Sequence, residues 1–295
     1  MDLTQFKPRP QLVVKQTNLT KPKFPVIDAH NHLGVFGGNV VETITVHELC
    51  NGLDEAGVTH YVDLDGGWGE DIVQQHLDYL SPCADRFQVF GGVDWSRWAE
   101  LGDDFPEFAA RRLEVQKGWG ASGVKIWKPF GLQVKDQHEK RVEVADERLD
   151  PIWETAARLS MPVMIHVADP VAFFDPIDES NERWEELGQH PEWAFTSPPY
   201  PPFLQILEGL KELVLRHHHT TFIGAHVGCY AENLAWVGDL LERAPNFYVD
   251  ISGRIGELGR QPYTAREFFL NFADHILFGL DEGPSVEGYR IAYRF

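Results

Sequence analysis

Short apolar runs alternate with longer amphipathic stretches along nearly the whole chain. The runs are PVIDAH, VTHYVDL, RFQVFGGVD, SGVKIW, PVMIHVA, TTFIGAHV, NFYVDIS and ILFGLD, eight in all. Each is rich in Val, Ile or aromatic residues and bounded by Gly, Pro, Asn or Asp, which is the pattern of a short strand. Between them, apolar residues recur with helical spacing. TVHELCNGLDEAG precedes the second run, DDFPEFAARRLEVQKGWG the fourth and DERLDPIWETAARLS the fifth. FLQILEGLKELVLRH precedes the sixth, ENLAWVGDLLERA the seventh and TAREFFLNFADH the eighth. Gly57 is positioned to end the first of these helices, and Asp150, followed by Pro151, to open the third. Strands alternating with helices give a parallel sheet, and eight such units give an α/β fold of the (β/α)8 TIM-barrel type. A doubly wound open sheet is the alternative, but no GxGxxG follows the first run.

Residues 1–24 read as a lead-in containing Pro and Lys, and 25–295 as one barrel domain without repeat or linker. The chain stops soon after the eighth run, at SVEGYRIAYRF, so the last helix is short or the sequence is truncated. The segment from Ala168 to Phe203 is about twice the usual connection length. It carries Phe173, Phe174, Trp184, Trp193 and Tyr200 among prolines and acids. Starting at the end of the fifth strand, it is expected to form a lid over the barrel mouth rather than an excursion with its own small core.

Charge changes the picture by exclusion. Twenty-six basic residues against 45 acidic ones give a net charge of −19. Such a surface repels phosphate backbones and anionic membranes, which argues against both as partners and leaves a small-molecule substrate. The three cysteines, Cys50, Cys83 and Cys229, show no CxxC spacing and no disulfide framework. With no apolar leader in the first residues and no run long enough to span a bilayer, a cytoplasmic location is expected, and a homo-oligomer is compatible with it.

The candidate chemistry sits at strand ends. In FPVIDAHNHLG, Asp28, His30 and His32 fall on one strand face, where three polar groups are costly unless something binds them. His30 and His32 end the first strand, Lys125 lies late in the fourth, His166 ends the fifth, His226 the sixth and Asp281 the eighth. In a (β/α)8 barrel these C-terminal ends form the active face. Neutral imidazoles and a carboxylate suit Zn²⁺ or another divalent transition metal with an open position for water. HxH alone is weak in a chain with 13 histidines; the coincidence of all these residues at strand ends is the stronger signal.

In DAHNH, IHVADP, GAHVG and ILFGLD, taken in that order, the chain resembles the amidohydrolase superfamily of metal-dependent barrels, and within it the amidohydrolase 2 branch of hydrolases and related decarboxylases. The resemblance implies that His30, His32, His166 and Asp281 hold a metal and that Asp281 also takes a proton from the metal's water. It implies that His226 polarises substrate or positions water, or ligates a second metal with a carboxylated Lys125. One ion is favoured over two, with Lys125 as an ion-paired barrel lysine. The family's usual Thr or Ser before the final aspartate is replaced by Leu280, which weakens the shell around Asp281. Asp28 is expected either to hold an imidazole tautomer or to pair with Lys125.

Arg254 is the candidate for a substrate carboxylate, with Trp68 at the rim and Trp184 on the lid as aromatic contacts. Lys128 is expected on the surface or lid, because strand alternation puts it opposite Lys125. RHHHTT, at His217–His219, joins a helix to the sixth strand and is therefore a barrel-bottom feature, not a metal tract. The leading expectation is hydrolysis of a small amide, ester or lactone. The alternatives are non-oxidative decarboxylation of an aromatic or related acid, and an inactive metal- or ligand-binding barrel.

Overall fold

A computed structural model of the chain describes residues 5–13 and 18–294. All eight apolar runs form strands: β1 (Val26–Asn31), β2 (Val58–Asp63), β3 (Phe87–Gly92), β4 (Gly123–Ile126), β5 (Val163–Ile165), β6 (Phe222–Gly224), β7 (Phe247–Asp250) and β8 (Ile276–Leu277). They lie in sequence order, each pair of neighbours parallel. Ala29 N donates to Phe278 O (2.8 Å) and Asp281 N to His30 O (2.9 Å), which joins the last strand to the first and makes the sheet a barrel.

The α-helices of nine or more residues are α1 (Val46–Ala56), α2 (Glu70–Leu80), α3 (Phe105–Trp119), α4 (Asp150–Arg158), α5 (Phe203–Arg216), α6 (Leu234–Arg243), α7 (Pro262–Asn271) and α8 (Val286–Arg294). Helix α1 starts in a Thr45/Glu48 capping box and ends at Gly57, whose φ of 78° is the left-handed conformation glycine adopts freely. No helix among the described residues is long and apolar enough to cross a membrane.

Strand alternation divides the core in two. Val124, Ile126, Val163, Ile165 and Phe222 face the helices in the main cluster. Leu64, Phe90, Met164 and Ile223 occupy the opposite faces and plug the barrel interior. This plug forms a floor beneath the strand ends, so polar groups there meet a cavity instead of a pore.

Several expectations are corrected. Helix α2 is not among the helices the spacing predicts. Its inward stripe is Val73, His76 and Leu80, and the polar member breaks an otherwise apolar 3–4 spacing. Asp150 does not cap α4; its Oδ1 instead takes His217 Nε2 (2.9 Å) and an Arg216 nitrogen (3.0 Å) at the barrel bottom. The Ala168–Phe203 excursion has its own aromatic core, with Phe174 5.5 Å from Phe195 and 5.2 Å from Phe203 between ring centres, and Phe195 5.1 Å from Tyr200. Arg183 pairs with Glu257 and Glu182 with Arg260, which pins it to the segment after β7.

Candidate functional site

The six ionisable strand-end residues converge. His30, His32, Lys125, His166, His226 and Asp281 all line one cavity of about 360 Å³ at the barrel mouth. Arg254 and Trp68 line it too, as expected; Trp184 does not, and is 54% exposed on the excursion. Lys128 lines it against expectation, because β4 ends at Ile126 and the chain turns before the alternation reaches that position. Its Nζ lies 2.6 Å from Asp169 Oδ2.

The arrangement of the imidazoles determines what the site can hold. His30 Nδ1 is 3.0 Å from Asp250 Oδ2, His32 Nδ1 is 2.9 Å from Asp65 Oδ1, and His226 Nδ1 is 2.9 Å from the carbonyl oxygen of Ser252. Ionised carboxylates and carbonyls only accept, so each Nδ1 carries a proton, and in its neutral form each ring turns an Nε2 lone pair inward. All three lone pairs meet Asp281: His32 Nε2 lies 3.1 Å and His30 Nε2 3.5 Å from its Oδ1, and His226 Nε2 3.6 Å from its Oδ2. Lone pairs facing a carboxylate at these distances repel unless a cation or a proton lies between them. The spacings also match the edge of a tetrahedral site with metal–nitrogen bonds near 2.0–2.1 Å, about 3.3 Å. The donor atoms of His30, His226 and Asp281 all lie within 4.8 Å of one another. The residues therefore fit a divalent metal.

His166 stands at the edge of this group. Like His32, it falls outside the trio whose donors approach within 4.8 Å. Its ring centre is 4.6 Å from that of His226, and its buried Nε2 has no hydrogen-bond partner among the described residues. Burial lowers its pKa to about 4, against the opposing pull of Asp169, so the ring is neutral at physiological pH. Burial also lowers His226 well below its ordinary value, with the nearby Arg254 acting in the same sense. Burial pushes the Asp281 carboxyl up, but His30, His32 and His226 outweigh it and hold the group well below the usual range.

Lys125 is not the expected ion-paired lysine. Among the described residues no carboxylate lies within 4.0 Å of it; its Nζ is 3.2 Å from His30 Nε2 and 5.1 Å from the centre of the Trp127 ring. Burial lowers its pKa. Asp28 fits neither expected role. Its carboxylate accepts from Tyr289 Oη (2.6 Å), Asn31 Nδ2 (2.7 Å), His30 N (3.2 Å) and Leu280 N (3.3 Å). It thus ties the ligand-bearing strand to α8, and burial raises its pKa to about 6 against those donors. A shift in the β1–β2 pairing between Asp28 and Asn31 leaves both residues and His30 buried. Leu280 buries its side chain beside Gly288 of α8, away from Asp281.

The backbone presenting His226 is unusual. His226, Val227, Gly228 and Cys229 all have φ between 56° and 64°, closed by Cys229 N donating to Ala225 O at 2.8 Å. Left-handed backbone costs about 1–2 kcal/mol per non-glycine residue, most for a β-branched one such as Val227. Such strain persists where its surroundings fix it, typically at functional sites. Asp281 shares the conformation, with φ 59°.

Against His32 stands an aromatic wall. The Trp127 ring centre lies 4.5 Å from Trp68, 5.8 Å from Phe36 and 5.2 Å from His32. Gly67 makes this possible, since a Cβ there would fall 1.8 Å from Trp127 Nε1. Arg254 is 9% exposed and has no carboxylate within 4.0 Å among the described residues; its Nη1 donates to Gly253 O (2.8 Å). The cavity thus offers a metal-type donor set, an aromatic face and a free guanidinium.

Asp65, Asp250, Ser252, Asp169, Trp127 and the Asp63–His76 pair (2.6 Å) were not singled out from sequence. A signal existed: YVDLD and YVDIS both end strands in aspartate, at the same level as the histidines.

The sequence profile of the family described as amidohydrolase matches residues 27–282. No curated protein matches the sequence. Among solved structures, the chain is similar to a 2,6-dihydroxybenzoate decarboxylase from Rhizobium (TM-score 0.58, 15% identity, 92% of each chain covered). It is similar to a dihydroxybenzoic acid decarboxylase from a Polaromonas species, with bound manganese and the inhibitor 2-nitroresorcinol (TM-score 0.56, 17% identity, 92% of this chain and 89% of that one). A probable 2-pyrone-4,6-dicarboxylic acid hydrolase from Acinetobacter baumannii is similar at TM-score 0.52 and 16% identity, covering 92% and 91%. At these identities the likeness concerns the fold.

Proposed function

Since this chain belongs to the amidohydrolase family, we propose that it is a metal-dependent, non-oxidative decarboxylase of a small ring-bearing carboxylic acid. The observation that carries this reading is the union of three inward Nε2 lone pairs and Asp281 with an aromatic wall and an unpaired Arg254. A metal site alone fits hydrolysis equally well. The aromatic side chains of Phe36, Trp68 and Trp127 favour a ring-bearing substrate, and two of the similar structures are decarboxylases.

In this reading His30, His32 and Asp281 hold a divalent ion, with His166 completing the set. When bound, the ion supplies the positive charge that draws the substrate's carboxylate oxygens. Asp250 and Asp65 keep His30 and His32 in the tautomer that offers Nε2. Trp127 and Trp68 flank the ring, and Arg254 pairs with an anionic oxygen. The bond between ring carbon and carboxyl carbon breaks, carbon dioxide leaves, and the electron pair stays on the ring carbon. A proton drawn from solvent replaces it there, passed on through the Nε2 of His226, whose ring Ser252 O fixes, or through an Asp281 oxygen, the two groups in reach. Manganese is the first metal to try, since a similar structure binds it; zinc is the second.

The test is carbon dioxide release from a panel of hydroxybenzoates by manganese- or zinc-loaded protein. Hydrolysis of 2-pyrone-4,6-dicarboxylate in its place would favour the hydrolase reading, which the third similar structure keeps open. Turnover of neither, with metal bound, would make the chain an inactive barrel. Under the decarboxylase reading Arg254→Gln raises KM for anionic substrates about tenfold or more and leaves metal affinity unchanged.

A further inference from the structure

Beside the catalytic cavity lies a second one, of about 310 Å³, that no step above uses. Val35, Phe36, Val41, Trp68 and Ile72 supply its apolar walls, and His76 lies at its inner end. The two cavities share Phe36 and Trp68, whose stacked rings (6.3 Å between centres, 21° between planes) form the partition. Both rings are more than half exposed, so the partition is low and its tips lie in solvent. A molecule in the main cavity can therefore extend across it.

The inner end is polar in a specific way. His76 is 3% exposed, and its Nδ1 lies 2.6 Å from Asp63 Oδ2. Its Nε2 makes no hydrogen bond to any described residue. Asp65, which holds His32, also lies within 4.8 Å of the Asp63–His76 pair. Two buried carboxylates beside one imidazole favour its charged form, which donates from Nε2. The cavity thus pairs apolar walls with one unused, almost fully buried donor.

We propose that this side cavity is a second compartment of the same site, taking an apolar or aryl arm of the substrate that ends in a hydrogen-bond acceptor. The proposal rests on the reading of the main cavity as a site for a ring-bearing carboxylic acid. The acid group and its ring occupy the main cavity, the arm crosses the Phe36–Trp68 partition, and His76 meets the acceptor. Substrate choice is then set in two places, by Arg254 and the metal ligands for the acid and by the side cavity for the arm.

The test is direct binding to the full-length, manganese-loaded protein, measured by calorimetry. The probes are salicylate, 5-phenylsalicylate and 5-(4-acetylphenyl)salicylate. The phenyl arm is expected to tighten binding about tenfold over salicylate, and the added neutral carbonyl acceptor to tighten it further. Ile72→Trp fills the side cavity, and the ratio of armed to unarmed affinity should then fall to about one. Val41→Trp does the same from the opposite wall and serves if the first variant fails to fold. Salicylate binding with no gain from either arm overturns the side compartment and spares the main reading. A gain that survives both tryptophans also overturns it. If none of the three probes binds, the ring-acid reading fails and this proposal with it.

Discussion

Replacing Asp250 with asparagine tests the metal reading without touching a proposed ligand. Asp250 is fully buried, and its Oδ2 lies 3.0 Å from His30 Nδ1. Burial raises its pKa, but His30 and other partners outweigh that and hold it below the usual range, so it is ionised and can only accept. That fixes the His30 proton on Nδ1. Asparagine has a similar shape but presents an amide that can donate. With its NH₂ toward His30, the ring must accept at Nδ1 and carry its proton on Nε2, aimed at Asp281 3.5 Å away. Ser252 Oγ, 3.1 Å from His30 Nδ1, is the available substitute acceptor and lacks the carboxylate's charge. Two routes give the magnitude. Outer partners of metal-ligating histidines are worth about tenfold to hundredfold in affinity, or roughly 1.4–2.7 kcal/mol. Loss of one charge-assisted hydrogen bond costs about 1.5–3 kcal/mol. The ranges agree. The assay is calorimetric titration of metal-stripped protein with Mn²⁺ and Zn²⁺, with circular dichroism confirming the fold. A variant that binds within a factor of about two of the parent, while Asp281→Asn abolishes binding, would show that His30 is no ligand.

Three further outcomes are expected. Asp28 has its folded pKa raised to about 6 by burial, so its contribution to stability is fully present below its unfolded value of 3.8 and is lost as pH rises through about 6. Tyr289→Phe removes a donor to the ionised form, and should cost about 1.5–3 kcal/mol at pH 8 but clearly less at pH 4; equal losses in urea unfolding at both pH values would refute this. Asp150→Ala, at the barrel bottom, should lower stability by about 1–2 kcal/mol and leave metal affinity unchanged, so a weakened metal titration would contradict the separation of the two faces. Gly67→Ala drives a methyl into Trp127, and should weaken salicylate binding about tenfold or more while metal binding persists; intact salicylate binding would remove the aromatic wall from the site.

The strands were legible because each is a short apolar run between turn residues, a purely local signal. Helix α2 was not, because one of its three inward positions is His76, used for an ion pair with Asp63. The six converging groups could be read from strand ends alone. Their supporting partners could not: His30 and Asp250 are 220 residues apart, and Asp28 and Tyr289 261 apart. Nothing local marks such pairs, although the aspartates ending β2 and β7 obey the same strand-end rule that identified the histidines. Lys128 was misjudged because alternation was carried past the end of β4, where it no longer applies. Trp184 has the residue type of a substrate contact but lies exposed on the excursion, whereas the wall is built by Trp127 and Trp68, one following a strand and the other in the Asp65–Trp68 turn.

The junction between β8 and β1 is the one place among the described strands where the wall lacks a strand-to-strand ladder, and His30, His32 and Asp281 flank it on either side. A cation gripped by those three would act as a buckle on the weakest edge of the ring, adding its binding energy to resistance against heat by mass action. Chelation should therefore speed amide exchange first in the two-residue strand β8, well before the helices loosen.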